Sequence, residues 1–368
     1  MITRIKTKLA KIMRYFIYFI LSLTSYISQA EIYQNNIPDD LQEFVNSIPE
    51  LTKNVQGGSI AILHKGEVIY KNSFGFGKET LEAINNKTLF PLASVSKAVS
   101  SAAVALMTDK GMLNLDKGYK IPYLKSEVTI KNILGSTTGY RYSGNQEIEA
   151  GLTRKKLLAK LGALPQSCEA GKCYFYSNIC FSLISDVLEK EKYSLNYAIN
   201  NLTKTLNTDE IKLYPLDPNL KIAYPHNKKH MLLPNTNYYQ KTVPAAAGIY
   251  ASIDGMIELY KFLFWYRQDL ISNETLEKFY KPYIKADIKH WNLPYEEEID
   301  SYYGLGWRIF TPKKDRQKNI IFHSGRLSGV NSFIGFMPHN EMGIIVITNQ
   351  EPPHAVRIGL GLWREFWD

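Results

Sequence analysis

The chain has 368 residues, of which 45% are hydrophobic and 21% are charged. This ordinary globular composition supplies enough apolar material for a large core, and it excludes a collagen-like, coiled-coil or disordered chain. The formal net charge is +9, but five basic and no acidic side chains lie in the first 30 residues, so residues 31–368 carry +4. The basic residues of that part are scattered, so no nucleic-acid partner is indicated, and a mild surplus suits solubility or an anionic cell envelope.

The first 30 residues have the layout of a secretory leader. Basic residues precede an apolar run from Tyr15 to Ile27, and Ser28 and Ala30 supply small residues at the two positions that a signal peptidase reads. We expect cleavage after Ala30, which leaves residues 31–368 as one domain in the periplasm or outside the cell. The alternative is a membrane anchor, which we expect only if the leader stays uncleaved, because a run of about 13 residues is short of the roughly 20 that span a bilayer.

Three cysteines give an odd count for a protein that meets an oxidising compartment. Cys168 and Cys173 flank a short loop of four residues that can bring their Cα atoms to disulfide distance, so they are the predicted pair. Cys180 lies in an apolar run and is expected to be buried and free. The seven histidines are dispersed and no metal-ligand spacing is found, so no metal site is predicted.

The predicted fold begins with a hairpin. The alternation in Gly58–Leu63 and Val68–Lys71 predicts two strands joined by a tight turn over 64–67. Small and apolar residues then run from Ser94 to Lys110 and stop at Gly111, which predicts a buried helix with a glycine end.

The rest of the chain divides into a helical middle and a strand-rich end. Helical stretches alternate with Pro-, Asn- and Tyr-rich loops from Leu115 to Phe264. We therefore predict an α+β fold, in which an antiparallel sheet from both chain ends is flanked by helices and joined to a mostly helical middle region. The predicted C-terminal elements are strands over Tyr303–Phe310, Ile320–His323, Ser332–Met337 and Gly343–Thr348 and a helix over Pro353–Trp367.

A Ser-x-x-Lys pattern lies at the start of the predicted buried helix. Ser94 and Lys97 are three residues apart, which places them on one helix face. Serine is a weak nucleophile unless a base takes its proton, and a lysine can be that base when burial and nearby positive charge lower its pKa. The pattern alone is weak, because Ser-rich helices contain it by chance.

Two further segments carry polar side chains at element ends. Tyr176 can relay a proton and Asn178 can hydrogen-bond a substrate amide, although a tyrosine beside a helix cap is the plainer interpretation. His323-Ser324-Gly325-Arg326 follows a predicted strand, where glycine lets a substrate approach the backbone. The alternative there is a plain hairpin loop.

These segments together resemble the serine beta-lactamase and penicillin-binding superfamily, and within it the class C beta-lactamase and D,D-carboxypeptidase branch. The chain shows S-x-x-K, Y-x-N and the H-x-G variant of the strand motif in the expected order. The resemblance runs from about Gly58 to Asn349 and implies the beta-lactamase/transpeptidase-like fold. The segment Ile133–Gly139 is similar to the branch's "LLSHTSG" segment. Further similar segments are Pro244–Ser252 with Asp254, Tyr303–Trp307 and Gly335–Pro338.

The resemblance also implies roles for single residues. Ser94 would be the acylated nucleophile, Lys97 its activating base, and Tyr176 the group that passes the proton to the leaving group. Asn178 would bind the substrate's amide side chain, and His323 would stand in for the usual lysine of the substrate-binding strand. In the block that follows His323, Gly325 would lie against the substrate, and the backbone N–H of Arg326 would form the oxyanion hole with that of Ser94.

Two departures from the family pattern bear on the substrate. Class C beta-lactamases usually have K-T-G where this chain has His323-Ser324-Gly325, and a histidine with a pKa of about 6.5 is only partly cationic at neutral pH. We therefore expect a weaker fixed attraction for a substrate carboxylate, which disfavours efficient beta-lactamase action. Gly135 replaces the usual histidine of "SHTSG", and Arg326 is bulkier than the small residue often found at its position, so both change the local fit.

The expected function is that of an exported serine hydrolase that acts on D-amino-acid peptides or peptidoglycan-related amides, like a D,D-carboxypeptidase. Its partners would be a small-molecule or peptide substrate and the cell wall, with no cofactor. The alternatives are a class C-like beta-lactamase, a carboxylesterase and, from another class, a non-catalytic envelope binding protein. A complete Ser94, Lys97 and Tyr176 set favours an enzyme over a pure binder.

Overall fold

The computed structural model describes residues 33–78, 82–265, 269–287 and 293–367. The predicted leader and its cleavage position lie outside the described residues. The strands are β1 Tyr33–Gln34, β2 Gly57–His64, β3 Glu67–Gly75, β4 Phe90–Pro91, β5 Gly118–Tyr119, β6 Val128–Thr129, β7 Ile211–Leu213, β8 Ile249–Ala251, β9 Ile284–Lys285, β10 Ile299–Tyr303, β11 Arg308–Pro312, β12 Ile320–Leu327, β13 Val330–Met337 and β14 Met342–Thr348.

Thirteen α-helices lie among the described residues, most of them between β4 and β9. Among them, none combines the length and apolar character needed to cross a membrane. The helices are α1 Asp39–Thr52, α2 Ser96–Asp109, α3 Ile130–Leu134, α4 Asn145–Glu149, α5 Arg154–Ala163, α6 Asn178–Phe181, α7 Ile184–Lys190, α8 Leu195–Leu206, α9 Tyr238–Thr242, α10 Pro244–Ala247, α11 Ile253–Phe264, α12 Asn273–Tyr280 and α13 His354–Glu365.

The central sheet joins the two ends of the chain. It has nine antiparallel strands in the order β1-β3-β2-β14-β13-β12-β11-β10-β9. The N-terminal strand β2 pairs with the C-terminal strand β14, with Gly58 opposite Thr348 and His64 opposite Met342. The predicted α+β architecture with a sheet from both chain ends is therefore confirmed.

A tight turn joins β2 and β3 where the sequence predicts it, over 64–67. Lys65 and Gly66 both have positive φ, at 50° and 76°. Two successive positive φ values are those of the tight turn whose twist matches that of the flanking strands, which keeps β2 and β3 in register.

Both faces of the central sheet are buried. Alternate residues of β2 point to opposite faces, so Ile60 and Ile62 pack with α1 and α13 while Ala61 and Leu63 pack with the helical region. This double burial explains why seven of the eight residues of β2 are buried. Helix α2 lies in the helical layer, and twelve of its fourteen residues are buried, so every face of the helix is covered.

Hydroxyl groups fix α2 between its neighbours. The Ser96 hydroxyl accepts a hydrogen bond from the backbone N–H of Ile249 at 3.1 Å. The Ser100 hydroxyl donates one to the backbone oxygen of Ala245 at 2.8 Å. Because buried hydroxyls need such partners, the serines of this apolar helix tie it to the segment over 244–252.

One predicted strand is divided in the structure. The prediction of a continuous strand over Tyr303–Phe310 is wrong, because β10 ends at Tyr303 and β11 starts at Arg308. Gly306 between them has φ of 85°, and the N–H of Gly304 bonds the backbone oxygen of Trp307 at 2.8 Å. A turn that requires left-handed glycine therefore reverses the chain here and makes β10 and β11 neighbours.

Candidate active site

Ser94 lies where the chain enters α2. It is the middle residue of a single 3₁₀ turn, Ala93–Val95, and it is partly exposed while both neighbours are buried. Ala93 has a φ of 47°, a left-handed conformation that costs a non-glycine residue about 1–2 kcal/mol. The N–H of Leu92, bonded to Ile249 O at 2.9 Å, helps to hold this turn. The strained turn presents the Ser94 hydroxyl at the start of α2.

Lys97 is fully buried and lies beside Ser94. Its Nζ is 3.2 Å from the Ser94 Oγ, 2.5 Å from the Asn178 Oδ1 and 3.2 Å from the Ala246 backbone oxygen. Burial, and after it the positive charge of Arg308, hold the pKa of Lys97 well below its usual 10.5. The uncharged amine is therefore accessible at lower pH than for an ordinary lysine.

The partners of Lys97 determine where its lone pair points. Oδ1 of Asn178 and the oxygen of Ala246 can only accept hydrogen bonds, so they take both N–H donors of the neutral amine. The lone pair is left for the third neighbour, the Ser94 hydroxyl. The neutral amine can thus remove the Ser94 proton without rearrangement.

Tyr176 lies on the other side of Ser94, in an extended segment that leads into α6. Its ring centroid is 4.6 Å from the Lys97 Nζ, and its hydroxyl is within hydrogen-bonding reach of the Ser94 side chain. Burial raises the pKa of Tyr176, opposed by the charge of Arg308 and by the contact with Ser94. Ser177, and not Tyr176 or Asn178, caps α6 by accepting from the Cys180 N–H at 3.1 Å.

Asn178 connects Lys97 to the helical region. While its Oδ1 accepts from Lys97, its Nδ2 donates to the Asn145 Oδ1 at 3.1 Å. Both polar ends of the amide are therefore occupied within the protein. Contact with a substrate amide requires Asn178 to exchange or share one of these partners, so its predicted substrate role stays a prediction.

Strand β12 brings the C-terminal motif against Ser94. A Cβ placed on Gly325 would meet the Leu92 oxygen at 2.3 Å, the Ser332 Oγ at 2.4 Å and the Ser94 N at 2.9 Å. Only glycine allows this approach. The next residue, Arg326, has an exposed side chain, and its backbone follows Gly325 along the same edge. The predicted oxyanion pair of Ser94 and Arg326 thus lies on two adjoining segments.

His323 is the buried residue of the strand motif. Its Nδ1 is 2.9 Å from the Ser324 oxygen and its Nε2 is 3.1 Å from the Tyr303 hydroxyl. Burial, followed by the charges of Arg308 and Lys97, holds the pKa of His323 well below its usual 6.5. The imidazole is therefore uncharged at neutral pH. This differs from the sequence-based expectation of a partly cationic histidine, because burial and the nearby cations disfavour the protonated ring.

Arg308 is a site residue that the sequence analysis missed. It is buried at the start of β11, with its guanidinium 4.9 Å from the Tyr176 ring centroid and 5.7 Å from that of Tyr303. Its positive charge lowers the pKa of Lys97 and of His323. The sequence feature that could have indicated it is a single arginine at the start of a mostly apolar strand. A buried charged side chain is rare unless it has a partner or a function.

A polar cavity of about 580 Å³ opens beside the motif strand. Its wall includes Asn145, the partner of Asn178, and Arg326, together with Tyr238, Glu149 and Glu351. It therefore runs along the edge of β12 and reaches Asn145. A cavity of this size accommodates a group as large as a short peptide.

The two cysteines predicted to pair form a disulfide next to the Tyr176 segment. The Cα atoms of Cys168 and Cys173 are 6.4 Å apart, and Cys180 is free and buried. The disulfide loop bonds the segment before it, with the Gly171 N–H 2.7 Å from the Thr137 oxygen. The disulfide thus anchors the segment that leads to Tyr176.

The departure at Gly135 has a structural counterpart. A Cβ on Gly135 would lie 2.4 Å from Cδ1 of Tyr283, so that ring fills the space where a side chain would start. The ring of Tyr283 therefore occupies the space next to position 135, where the family usually has a histidine side chain. Within the ranges described, no cluster of three or more His, Cys, Asp or Glu residues is arranged to hold a metal ion.

Comparison with known proteins identifies the family. Residues 39–363 match the Beta-lactamase family, so the chain belongs to it. It is 25% identical over 357 residues to Protein flp of Staphylococcus aureus strain MW2, covering 88% of this chain and 66% of that protein. It is 26% identical over 340 residues to Penicillin-binding protein 4* of Bacillus subtilis strain 168, covering 81% of this chain and 69% of that protein. The chain thus spans about two thirds of the length of these relatives.

Solved structures show the same fold. The octameric penicillin-binding protein homologue from Pyrococcus abyssi aligns with a TM-score of 0.73 and 22% identity, over 88% of this chain and 76% of that one. A penicillin-binding protein from Bacillus halodurans gives 0.71 and 19%, over 88% and 100%. A class C beta-lactamase mutant gives 0.70 and 20%, over 91% and 99%. The structural neighbours are therefore both penicillin-binding proteins and class C beta-lactamases.

Proposed function

We propose that this protein is a serine hydrolase that forms an acyl-enzyme at Ser94 and acts like a D,D-carboxypeptidase on D-amino-acid peptides or peptidoglycan-related amides. The observation that carries this proposal is the geometry of Lys97. Its Nζ lies beside two carbonyl oxygens, which only accept hydrogen bonds, and 3.2 Å from the Ser94 Oγ. In the neutral form of the amine, the two N–H bonds go to the carbonyl oxygens and the lone pair is left for the Ser94 hydroxyl. An amine held in this state is a general base for a serine nucleophile.

Acylation follows from these positions. Ser94 Oγ bonds to the substrate carbonyl carbon as its proton passes to Lys97, and the carbonyl oxygen becomes an oxyanion. The backbone N–H groups of Ser94 and Arg326 stabilise that oxyanion. The proton then moves through the Tyr176 hydroxyl to the leaving amine as the C–N bond breaks. Water cleaves the resulting ester and returns Ser94 to its starting state.

Two features favour a peptide that ends in a carboxylate. Arg308 provides a permanent positive charge beside Tyr176 and His323, and a guanidinium is the side chain best suited to a carboxylate. The cavity of about 580 Å³ next to Arg326 leaves room for a long acyl group. A small neutral ester would use neither feature.

The competing activities share the acylation step. A class C-like beta-lactamase differs by fast hydrolysis of the acyl-enzyme, and a carboxylesterase by accepting uncharged esters. A non-catalytic envelope binding protein would form no acyl-enzyme, and it gives no reason for a buried Lys97 with a lowered pKa beside Ser94.

Intact-mass spectrometry of the protein with a penicillin tests the proposal. We expect an adduct that persists for hours and is absent in Ser94→Ala. Ser126→Ala is the matched control, since that hydroxyl bonds Gln166 at 3.0 Å in another part of the molecule. An adduct that disappears with antibiotic turnover would identify a beta-lactamase. No adduct with penicillins, D-amino-acid amides or esters would overturn the serine hydrolase proposal.

We also propose export, with cleavage after Ala30. The basic and apolar layout of residues 1–30 supports it, and a disulfide between Cys168 and Cys173 suits an oxidising compartment. Expression in a bacterial host followed by N-terminal mass mapping of the periplasmic and medium fractions tests it. A mature chain that starts at Glu31 is expected, and a full-length chain confined to the cytoplasm would contradict it.

A further inference from the structure

Both ring nitrogens of His323 are bound within the protein. The side chain is completely buried, as is that of Tyr303. Nδ1 lies 2.9 Å from the Ser324 backbone oxygen, and Nε2 lies 3.1 Å from the Tyr303 hydroxyl. The imidazole therefore has neither an unused nitrogen nor an exposed edge.

The directions of these hydrogen bonds follow from the partners. A backbone carbonyl only accepts, so Nδ1 carries the proton and donates to the Ser324 oxygen. Burial and the neighbouring cations keep the ring uncharged, which leaves a lone pair on Nε2. Burial raises the pKa of Tyr303 well above 10, so its hydroxyl keeps its proton and donates it to Nε2.

The groups around His323 oppose a charge on it. Arg308 on β11 and Lys97 on α2 are cations or potential cations, and both lower its pKa. Tyr176, from the segment before α6, and Tyr303 on β10 face it with rings whose centroids are each 6.2 Å away. A protonated His323 would add a further positive charge among these groups, so neither the ring nor its hydrogen-bond pattern changes near neutral pH.

Tyr303 is placed to act on two members of the site at once. Its ring meets that of Tyr176 edge-on with a centroid distance of 6.2 Å, while its hydroxyl holds Nε2 of His323. Two hydrogen bonds thus connect Tyr303 through His323 to the backbone of β12.

We propose that Tyr303 is a positioning residue that holds His323 as the neutral, Nδ1-protonated tautomer, so that His323 braces the substrate-binding strand and Arg308, not His323, is the fixed cation of the site. Its catalytic consequence rests on the function proposed above. Since His323 precedes Gly325 by two residues on β12, loss of the Tyr303 hydrogen bond would loosen the strand edge that faces Ser94.

The tautomer can be measured without any substrate. Long-range proton–nitrogen correlation spectra of the ¹⁵N-labelled protein distinguish the two neutral tautomers and the imidazolium, and the spectrum of His323→Gln identifies the signal among the seven histidines. We expect a neutral Nδ1–H ring from pH 8 to pH 6. An Nε2–H tautomer, or titration of His323 near its usual pKa, would overturn the proposal. A correct tautomer with no acylation would refute only the proposed function.

Tyr303→Phe tests the positioning role, because it keeps the ring against Tyr176 and removes the hydroxyl. We expect the His323 signals to show a mixture of tautomers and the acylation rate to fall about tenfold, the equivalent of one buried hydrogen bond, with little change in substrate affinity. Tyr302→Phe on the same strand is the control, since its hydroxyl lies 3.4 Å from an exposed arginine. Unchanged His323 signals in a folded Tyr303→Phe protein would overturn the proposal. If that variant does not fold, the wild-type spectrum still decides it.

Discussion

The Lys97 Nζ and the Arg308 guanidinium lie against the same aromatic ring, at 4.6 and 4.9 Å from the centroid of Tyr176. Their mutual repulsion lowers the pKa of Lys97, because the arginine stays charged and the lysine can lose its proton. The same charge favours the deprotonated form of Tyr176 against the effect of burial. The charge of Arg308 thus favours the deprotonated form of both Lys97 and Tyr176, and for Tyr176 it opposes the larger effect of burial.

Arg308→Gln is expected to move the pH dependence of acylation. Removing the positive charge raises the pKa of Lys97, so the acidic limb of kcat/KM shifts to higher pH. The measurement is kcat/KM from pH 5 to pH 10 with a D-amino-acid ester substrate. Arg316→Gln is the matched control, since that arginine is exposed and bonded to Asp300 at 2.8 Å. A shift to lower pH would contradict the role assigned to Arg308.

The same variant tests the substrate class. We expect Arg308→Gln to weaken kcat/KM about tenfold to a hundredfold more for a substrate that ends in a carboxylate than for its uncharged methyl ester, because a charge-assisted pair contributes about 1.5–3 kcal/mol. Steady-state kinetics on the matched pair of substrates give this ratio. Equal losses on both substrates would leave Arg308 without a role in carboxylate recognition.

Lys97→Met removes the base and keeps the length of the side chain. We expect acylation by a penicillin to slow about 10²- to 10⁴-fold, since the Ser94 proton then has no amine acceptor. Stopped-flow or quenched-flow acylation measures it, with circular dichroism to confirm the fold. Lys110→Met, at the exposed end of the same helix, should acylate at the wild-type rate. A wild-type rate in Lys97→Met would exclude lysine as the base.

Gly325→Ala should damage both stability and acylation. The new methyl group would lie 2.3 Å from the Leu92 oxygen, so β12 or the Ser94 turn must move, at a cost of about 1–3 kcal/mol. Gly361→Ala is the opposite case, because its nearest neighbour is 3.8 Å away and the position is helical. That change should stabilise the protein by about 0.5–1 kcal/mol. Thermal unfolding of both variants tests the contrast.

Acid should destabilise the protein in part through His323. Its folded pKa lies below 6.5 and its unfolded pKa near 6.5, so below about pH 6.5 the unfolded state binds a proton that the folded state does not. The free energy of unfolding therefore falls as the pH drops, by up to about 1.4 kcal/mol per pH unit. His323→Gln should flatten this slope in urea titrations, while His339→Gln, at an exposed turn, should not.

The sequence predicted the parts of the molecule that depend on local pattern. The alternation of β2 and β3, the glycine after α2 and the Ser94–Lys97 spacing are short-range signals, and the structure places each as expected. The pairing of Cys168 with Cys173 is local in the same sense.

Long-range contacts were beyond the same reasoning. Nothing in the spacing shows that Asn178 holds Lys97, since 81 positions separate them. The position of Arg308 depends on a turn at Gly306, which we did not predict because the sequence around it has the pattern of a strand. The hydrogen bond between Tyr303 and His323 depends on the same turn. The charge state of a site residue is likewise set by neighbours that only the folded chain brings together.

The hydroxyl of Ser332 bonds the backbone oxygen of Leu92, next to the nucleophile, across 240 positions of the chain. A polypeptide is made, and threaded through a membrane, from its N-terminus onwards. The Ser94 turn therefore emerges long before the strands that complete its surroundings. During synthesis, no shortened chain that lacks β12 and β13 contains an assembled site. The site is complete only when β12 and β13 have been made. A truncated product is therefore expected to be inert and not a partially active hydrolase.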